Sequence, residues 1–235
     1  MLAIETAGSA CSVAVARDRA VLAAERLPLR HGHGEILLPM VDRVMAGAGL
    51  RPTALDAVAV STGPGGFTGI RVGLAAAQGI ALALKIPLVG ITSFAAVAVL
   101  AVENRAGGGA LLVALESRRA ELYIQLFAAG AAVPITGPTA ILPVDLDRHI
   151  AAMVGAGPLL IAGDAGDAAA MVLPGIAARV IPGSVPDACG VAVAAPGVLR
   201  ERPTSQARPL YLRPPDVTLP NPVGPGVMPG VAARR

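Results

Sequence analysis

The sequence predicts a mixed α/β fold built twice, as two successive halves of one chain. A pattern of strand, acid, hydroxyl, turn and strand occurs two times, about 110 residues apart. Leu2-Ala-Ile-Glu-Thr6 turns through residues 7–10 into an alternating strand at 11–16. Residues 111–115 end in Glu116-Ser117 and turn through 118–120 into a strand at 121–127. Alternating helix and strand patterns follow each copy, as mixed α/β halves require. Between them, the apolar run 57–60 enters a glycine-rich segment, Ser61-Thr-Gly-Pro-Gly-Gly-Phe-Thr-Gly-Ile-Arg71, which leads into a helix-patterned stretch at 72–84.

Taken in order, a third strand is expected at 21–27. Ile36, Leu37, Met40, Val41, Val44, Met45 and Ala48 then form one helical stripe, with Gly49 as its stop. The helix beyond the glycine-rich turn carries Gly69, Gly73, Ala76, Ala77 and Gly79, small residues that let another helix approach closely. Each helix can bury one face in its own half. A second apolar or small face on each suggests association with another subunit. In the second half, Asp145 can open a helix through Val154, residues 159–162 read as a strand, and Asp187 can cap a helix. The expected division is 1–106, then 107–213 beyond Gly107-Gly108-Gly109, then an extended Pro-rich tail, 214–235.

Composition narrows the function. At 235 residues the chain can bury a sizeable core. A 54% hydrophobic content and mean hydropathy of +0.66 raise the question of a membrane. The uncharged run between Lys85 and Glu103 is interrupted by Pro87, Gly90, Thr92 and Ser93 and is short for a span of about 20 residues. A buried strand at 88–91 and a helix from Ser93 fit it better. A strand-like start at Leu2 leaves no room for a leader, so a cytoplasmic protein without membrane contact is expected. Cys11 and Cys189 offer neither zinc spacing nor a disulfide framework and read as core thiols. Six Arg and two acids from residue 200 onward exceed the whole net charge of +3, leaving the body slightly acidic. With no Trp, two Tyr and three Phe there are few platforms for stacking bases, so RNA contact is expected through a partner or the tail.

Candidate chemistry is sparse. A glycine-rich strand-to-helix turn aims amides and a helix N-terminus outward, which suits an anion, or it merely permits a tight turn and close packing. The candidate phosphate-loop residues are Glu5, Thr6, Gly63, Gly65, Gly66, Thr68 and Gly69. The spacing matches neither the P-loop nor the dinucleotide fingerprint. Glu5 and Glu116, each ending the first strand of a half, either hold a hydrated magnesium ion or bond turn backbone. Arg71 suits a phosphate, a partner carboxylate or an ordinary ion pair. His31 and His33 share a face when extended but have no third ligand nearby, and a loop before the helix is the expected setting for them. No Gly-x-Ser-x-Gly elbow is present. No catalytic residue and no metal site is assigned.

Several segments carry a resemblance. Leu-Ala-Ile-Glu-Thr with Ala-Cys-Ser-Val-Ala, His33 with Leu37-Leu38-Pro39-Met40-Val41, and Gly63-Pro-Gly-Gly-Phe-Thr-Gly-Ile-Arg71-Val-Gly are similar to the TsaB (YeaZ) family. So are Ala77-Gln78-Gly79, Gly90-Ile-Thr-Ser, Glu116-Ser-Arg with Glu121-Leu-Tyr123, and Pro209-Leu-Tyr-Leu-Arg213. The resemblance implies an actin/Hsp70-like (ASKHA) fold of two ribonuclease-H-like halves. It implies a non-catalytic scaffold subunit that binds and activates the paralogue TsaD in making threonylcarbamoyladenosine at position 37 of tRNA. A stand-alone ATP-binding or ATP-hydrolysing enzyme of the same fold is the alternative. The implied partners are TsaD, the ATPase TsaE and, in their absence, a second copy, with tRNA reached mainly through the complex. The implied contact is His33, Ile36, Leu37, Met40, Val41 and Val44 on one helix and Arg71, Gly73, Ala76, Ala77 and Ile80 on the next. No cofactor is required, although ATP or ADP can sit at or near the TsaD interface. Positions 5 and 116 are Glu where the family usually has Asp, and Gly66 stands where Ser is common. The extra methylene disturbs metal geometry and weakens the case for nucleotide hydrolysis by this chain.

Overall fold

The computed structural model describes residues 1–103, 109–151, 153–154, 158–201 and 207–213. The first half runs β1 (Leu2–Glu5), β2 (Ala10–Arg17), β3 (Ala20–Pro28), α1 (His33–Gly47), β4 (Val58–Ser61), α2 (Phe67–Leu84), β5 (Leu88–Ile91) and α3 (Ser93–Glu103). The second runs β6 (Leu111–Glu116), β7 (Leu122–Phe127), β8 (Thr139–Ile141), α4 (Pro143–Ile150), β9 (Leu159–Ala162), α5 (Gly166–Met171), β10 (Ala178–Val180) and α6 (Ala188–Glu201). The two five-stranded sheets have the same order, β3-β2-β1-β4-β5 and β8-β7-β6-β9-β10. In each, the first three strands are antiparallel and the last two parallel. Short turns join the antiparallel strands except β7 and β8, which residues 128–138 connect, and the parallel crossovers contain helices. The duplication read from two short motifs is therefore a duplication of the whole topology.

Local sequence explains the elements that position the site. β1 and β4 are central and covered on both faces, so every residue in them is buried. β3 is an edge strand, and its alternation puts Glu25 on the same face as Ala23, where Arg43 of α1 pairs with it at 2.7 Å. α1 opens at His33, earlier than the apolar stripe alone indicates, behind Gly32 at φ 85°. His33 therefore belongs to the first helical turn, not to the preceding loop. The stripe itself is core: Leu37, Met40, Val41, Val44 and Met45 pack with Val13, Val15, Ile70 and Leu74 on the first sheet. This corrects the expectation that Leu37, Met40, Val41 and Val44 face a partner. An amphipathic stripe buries against its own sheet first, because that apolar area is nearest along the chain.

The two halves exchange their last helices. α6 lies on the first sheet, placing Ala188, Val191, Ala192 and Ala195 against Ala3, Ala14 and Val89. α3 lies on the second, placing Phe94, Val97, Ala98 and Ala101 against Leu111, Val113 and Phe127. The two helices cross at Gly190, where a methyl group would fall 2.2 Å from the Ala96 carbonyl oxygen. The expected boundary thus divides the strands but not the cores. Gly107 and Gly108 lie outside the described residues, as does the Pro-rich tail from 214. The short elements β8, α5 and β10 were not foreseen, having too few residues for a periodic signal. The helix expected through Val154 ends at Ile150.

Among the described residues, α2 is the one helix with the length and hydropathy of a membrane span. It packs on the first sheet through Ile70, Leu74, Ala77 and Ala81. Replacing Gly190 with Ala is expected to cost about 1–3 kcal/mol through overpacking at the crossing. Chemical denaturation of the variant checks this, and unchanged stability would mean that the crossing yields freely.

Candidate functional site

The glycine-rich turn meets the β1–β2 turn backbone to backbone. Gly66 N donates to Ala7 O at 2.7 Å, and Thr6 Oγ1 donates to Gly69 O at 2.7 Å. A methyl group on Gly65 would lie 2.2 Å from Ala7 O, one on Gly69 2.0 Å from Thr6 O, and one on Gly73 2.3 Å from Thr6 Oγ1. Gly63, at φ 94°, is buried under Ile70 and the Leu210 carbonyl. The packing reading of these glycines is the one the geometry favours. As a phosphate cradle, the set Gly63, Gly65, Gly66 and Gly69 is corrected: the Gly66 amide is taken by Ala7, Gly65 and Gly69 make room for Ala7 and Thr6, and Gly63 makes room for Ile70 and the Leu210 carbonyl. Thr68 stays exposed at the mouth of the turn.

Glu5 is 1% exposed, and its Oε1 accepts from the amides of Ala7 at 2.5 Å and Gly8 at 2.9 Å. Burial holds its carboxyl above the usual range, against the lowering effect of Ser61 and the two amides. Its other oxygen is buried without a fixed partner. Glu116 is exposed, and its amide donates to Asp164 Oδ1 at 2.9 Å. These residues do not fit a hydrated magnesium ion. One carboxyl is spent on turn amides in a dry site, the other stands in the opposite half, and the described residues hold no cluster of three metal-ligating side chains.

The chain's own side chains occupy the gap between the two acid-bearing turns. Arg118, at φ 59° in the β6–β7 turn, reaches across so that Nη2 donates to Gly8 O at 3.4 Å, and it borders Gly66. Pro186 packs on Gly8 from the loop before α6. Burial raises the Asp164 carboxyl, and the Arg118 charge partly offsets it. Cys11 and Cys189 are pushed up to about 11 and about 12 by burial, which makes both poor nucleophiles at neutral pH.

Residues 207–213 strap over the glycine turn. Leu210 N donates to Thr62 O at 2.8 Å, and Arg213 pairs with Glu121 at 2.6 Å, tying the strap to both halves. Tyr211 packs on Phe67 with ring centroids 5.2 Å apart and ring planes tilted by 35°. Arg71 lies 3.7 Å above the Phe67 ring, and its Nε donates to the Tyr211 hydroxyl at 3.2 Å. Among the described residues Arg71 is therefore held by Phe67 and Tyr211 and not by an acid. Two grooves flank Phe67 and Arg118. One of about 250 Å³ lies between the strap and the β6–β7 turn, and another of about 490 Å³ lies between the starts of α1 and α2. His33 borders the second, 8% exposed, with Nε2 unpartnered and its basicity lowered by burial and then by Arg118 and His31. The strap and its ring contact were missed in the sequence, where only the spacing-free coincidence of Tyr211 and Phe67 could have signalled them.

Two like-ordered sheets with exchanged terminal helices, closed over a cleft between acid-bearing turns, define an actin/Hsp70-like (ASKHA) duplicated ribonuclease-H-like protein. A family model described as "TsaD: tRNA N6-adenosine threonylcarbamoyltransferase" matches residues 29–141. The chain is 38% identical over 123 residues to the tRNA threonylcarbamoyladenosine biosynthesis protein TsaB of Escherichia coli K12, a match covering 52% of each chain. It is 34% identical over 222 residues to an uncharacterized protein of Mycobacterium tuberculosis H37Rv, covering 92% of each. The solved structure of YeaZ from Pseudomonas aeruginosa superposes with a TM-score of 0.77 at 27% identity, covering 90% of this chain and 98% of that one. The chain belongs to the TsaB (YeaZ) family. Its match spans about half the length of the E. coli relative.

The raised Glu5 carboxyl has a pH signature. Its contribution is fully present below the unfolded value of 4.5 and is lost as pH rises through the folded value. Glu5→Gln keeps an acceptor for Ala7 and Gly8 but cannot ionise. Its melting temperature should therefore gain on the parent between about pH 5 and pH 8, by roughly 2–4 °C per kcal/mol. A difference that does not vary with pH would show that Glu5 ionises without cost.

Proposed function

We propose that this chain is the non-catalytic scaffold subunit for forming N6-threonylcarbamoyladenosine on tRNA, and that it acts by docking onto a TsaD-type transferase. One observation carries the reading. The outer face of α2 presents Ala75, Gln78, Gly79, Leu82 and Ala83 to solvent, with Leu82 81% exposed. The half-buried Val72, Ala76 and Ile80 flank it, and nothing stands within 4 Å of the methyl position at Gly79. A flat helix face of small and apolar residues favours close approach by a second helix, whose burial offsets the exposed apolar area. Leu38 of α1, 53% exposed, adds to the apolar area on the first half.

Of the contact residues expected from the resemblance, Ile36, Arg71, Ala76 and Ile80 remain reachable, whereas His33, Gly73 and Ala77 are buried. The interface proposed here is accordingly the outer side of α2, not the stripe of α1. On this reading a second copy occupies the same face when the transferase is absent, and a TsaE-type ATPase joins the assembly. Any ATP or ADP sits at the junction with the transferase, and the site of action is the cytoplasm. The names of the E. coli relative and of the matching family support the pathway.

Leu82→Arg tests the interface. It should weaken the complex with the transferase at least tenfold in calorimetry, as loss of an apolar anchor does. The melting temperature should stay within the range of surface substitutions, about 0.5 kcal/mol. Threonylcarbamoyl transfer reconstituted with both subunits should fall in parallel. Full affinity in the variant would move the interface elsewhere, and ATP turnover by the isolated chain would replace the scaffold reading with an enzyme of its own.

A further inference from the structure

We propose that the groove beneath the C-terminal strap binds single-stranded RNA directly, stacking a base at the Phe67–Tyr211 pair and holding the backbone with the surrounding arginines. The chain has five aromatic residues. Phe94 and Phe127 are core. The other three, Phe67, Tyr123 and Tyr211, all line this one groove, Tyr123 from within the core of the second half and Phe67 and Tyr211 from the surface. Phe67 and Tyr211 are 37% and 38% exposed, an unusual outlay of aromatic surface in a chain so poor in it. Their mutual packing, with Arg71 above Phe67 and bonded to the Tyr211 hydroxyl, fixes both rings before any ligand arrives.

The charged side chains that line the groove are basic, one of them, Arg213, being paired with Glu121. Arg118, Arg119 and Arg213 line the groove, and among the described residues no acid does. The neighbouring groove shares Phe67 and Arg118 and adds Arg30, His31 and His33, against the single acid Glu35. The buried, unpartnered Nε2 of His33 supplies a further polar group beside it. The two grooves share Gly66, Phe67 and Arg118, so a base in the smaller would bring adjoining phosphates to the edge of the larger. Apart from the C-terminal segment the protein is close to neutral, so this concentration of arginine is local rather than a general excess. Arginines track phosphates, and aromatic faces accept any unpaired base. A duplex keeps its bases stacked and would gain from the arginines only. The inference rests on the proposed tRNA role solely for choosing RNA over another polyanion.

The test is fluorescence anisotropy on the full chain alone, with a fluorescein-labelled single-stranded RNA oligonucleotide and the duplex formed from it, over a range of salt. The single strand should bind more tightly than the duplex. Tyr211→Leu should weaken it about tenfold, the scale of one lost stacking contact. Arg118→Ala should weaken it and lower the salt slope by about 1. Equal binding of the duplex, unchanged affinity in both variants, or displacement by polyglutamate as readily as by unlabelled RNA would overturn the proposal. The last of these would mark an acidic-peptide site. Should Tyr211→Leu lose its circular-dichroism transition, Arg118→Ala decides, since Arg118 is exposed on a turn. Complex formation with the transferase is read separately. RNA binding without it keeps this inference and sinks the scaffold reading, and a complex without RNA binding does the reverse.

Discussion

The backbone contact between the β1–β2 turn and the glycine-rich turn organises the functional end of the molecule. Thr6 and Ala7 press into three positions where no side chain fits, Gly65, Gly69 and Gly73. That contact sets where α2 begins and how it rises from the sheet. It therefore sets where Phe67 and Arg71 stand and where the strap finds its seat. In a turn that packs this closely the Gly66 amide is already taken by the Ala7 carbonyl. The anion-binding capacity of glycine-rich turns and their packing capacity draw on the same bare backbone, and here packing has taken it.

The same economy runs through the cleft. Glu5 bonds its own turn, Arg118 spans to Gly8, and Pro186 covers what remains. Glu5 Oε1 and Arg118 are thus both engaged with the β1–β2 turn of the first half. The outer surfaces differ in character. The outside of α2 is small and apolar, suited to another helix, whereas the strap side is aromatic and rich in arginine, suited to a polyanion. The two lie at different places on α2, one along its outer face and one at its start, so a protein partner and a nucleic acid need not compete.

Much of this was legible in the sequence. The strand, acid and hydroxyl repeat at Glu5-Thr6 and Glu116-Ser117 marked the duplication, and the order of both sheets agrees with it. The glycine-rich turn was placed correctly between β4 and α2, with close packing as one of two readings. Periodicity identified the stripe on α1 but not its destination, since the same pattern serves a core and an interface. Leu37 and Met40 face their own sheet. The helix exchange and the strap were hidden for a different reason. Both depend on contacts between distant segments, such as Gly190 with Ala96 or Tyr211 with Phe67, and local patterns hold no record of them. A count of five aromatics holds nothing of their placement, and three of them line one groove.

The exchange of α3 and α6 has a consequence for biosynthesis. As the chain leaves the ribosome, the first sheet can form with α1 and α2 on one face. Its other face, lined by Ala3, Ala14, Ala59 and Val89, stays bare until residues 188–201 emerge. The early half is obliged to wait with an open alanine and valine surface for the last helix of the late half. Such a pause exposes apolar surface to other nascent chains. Small side chains on that face keep the area modest, which suits a surface that must stay uncovered until α6 is made.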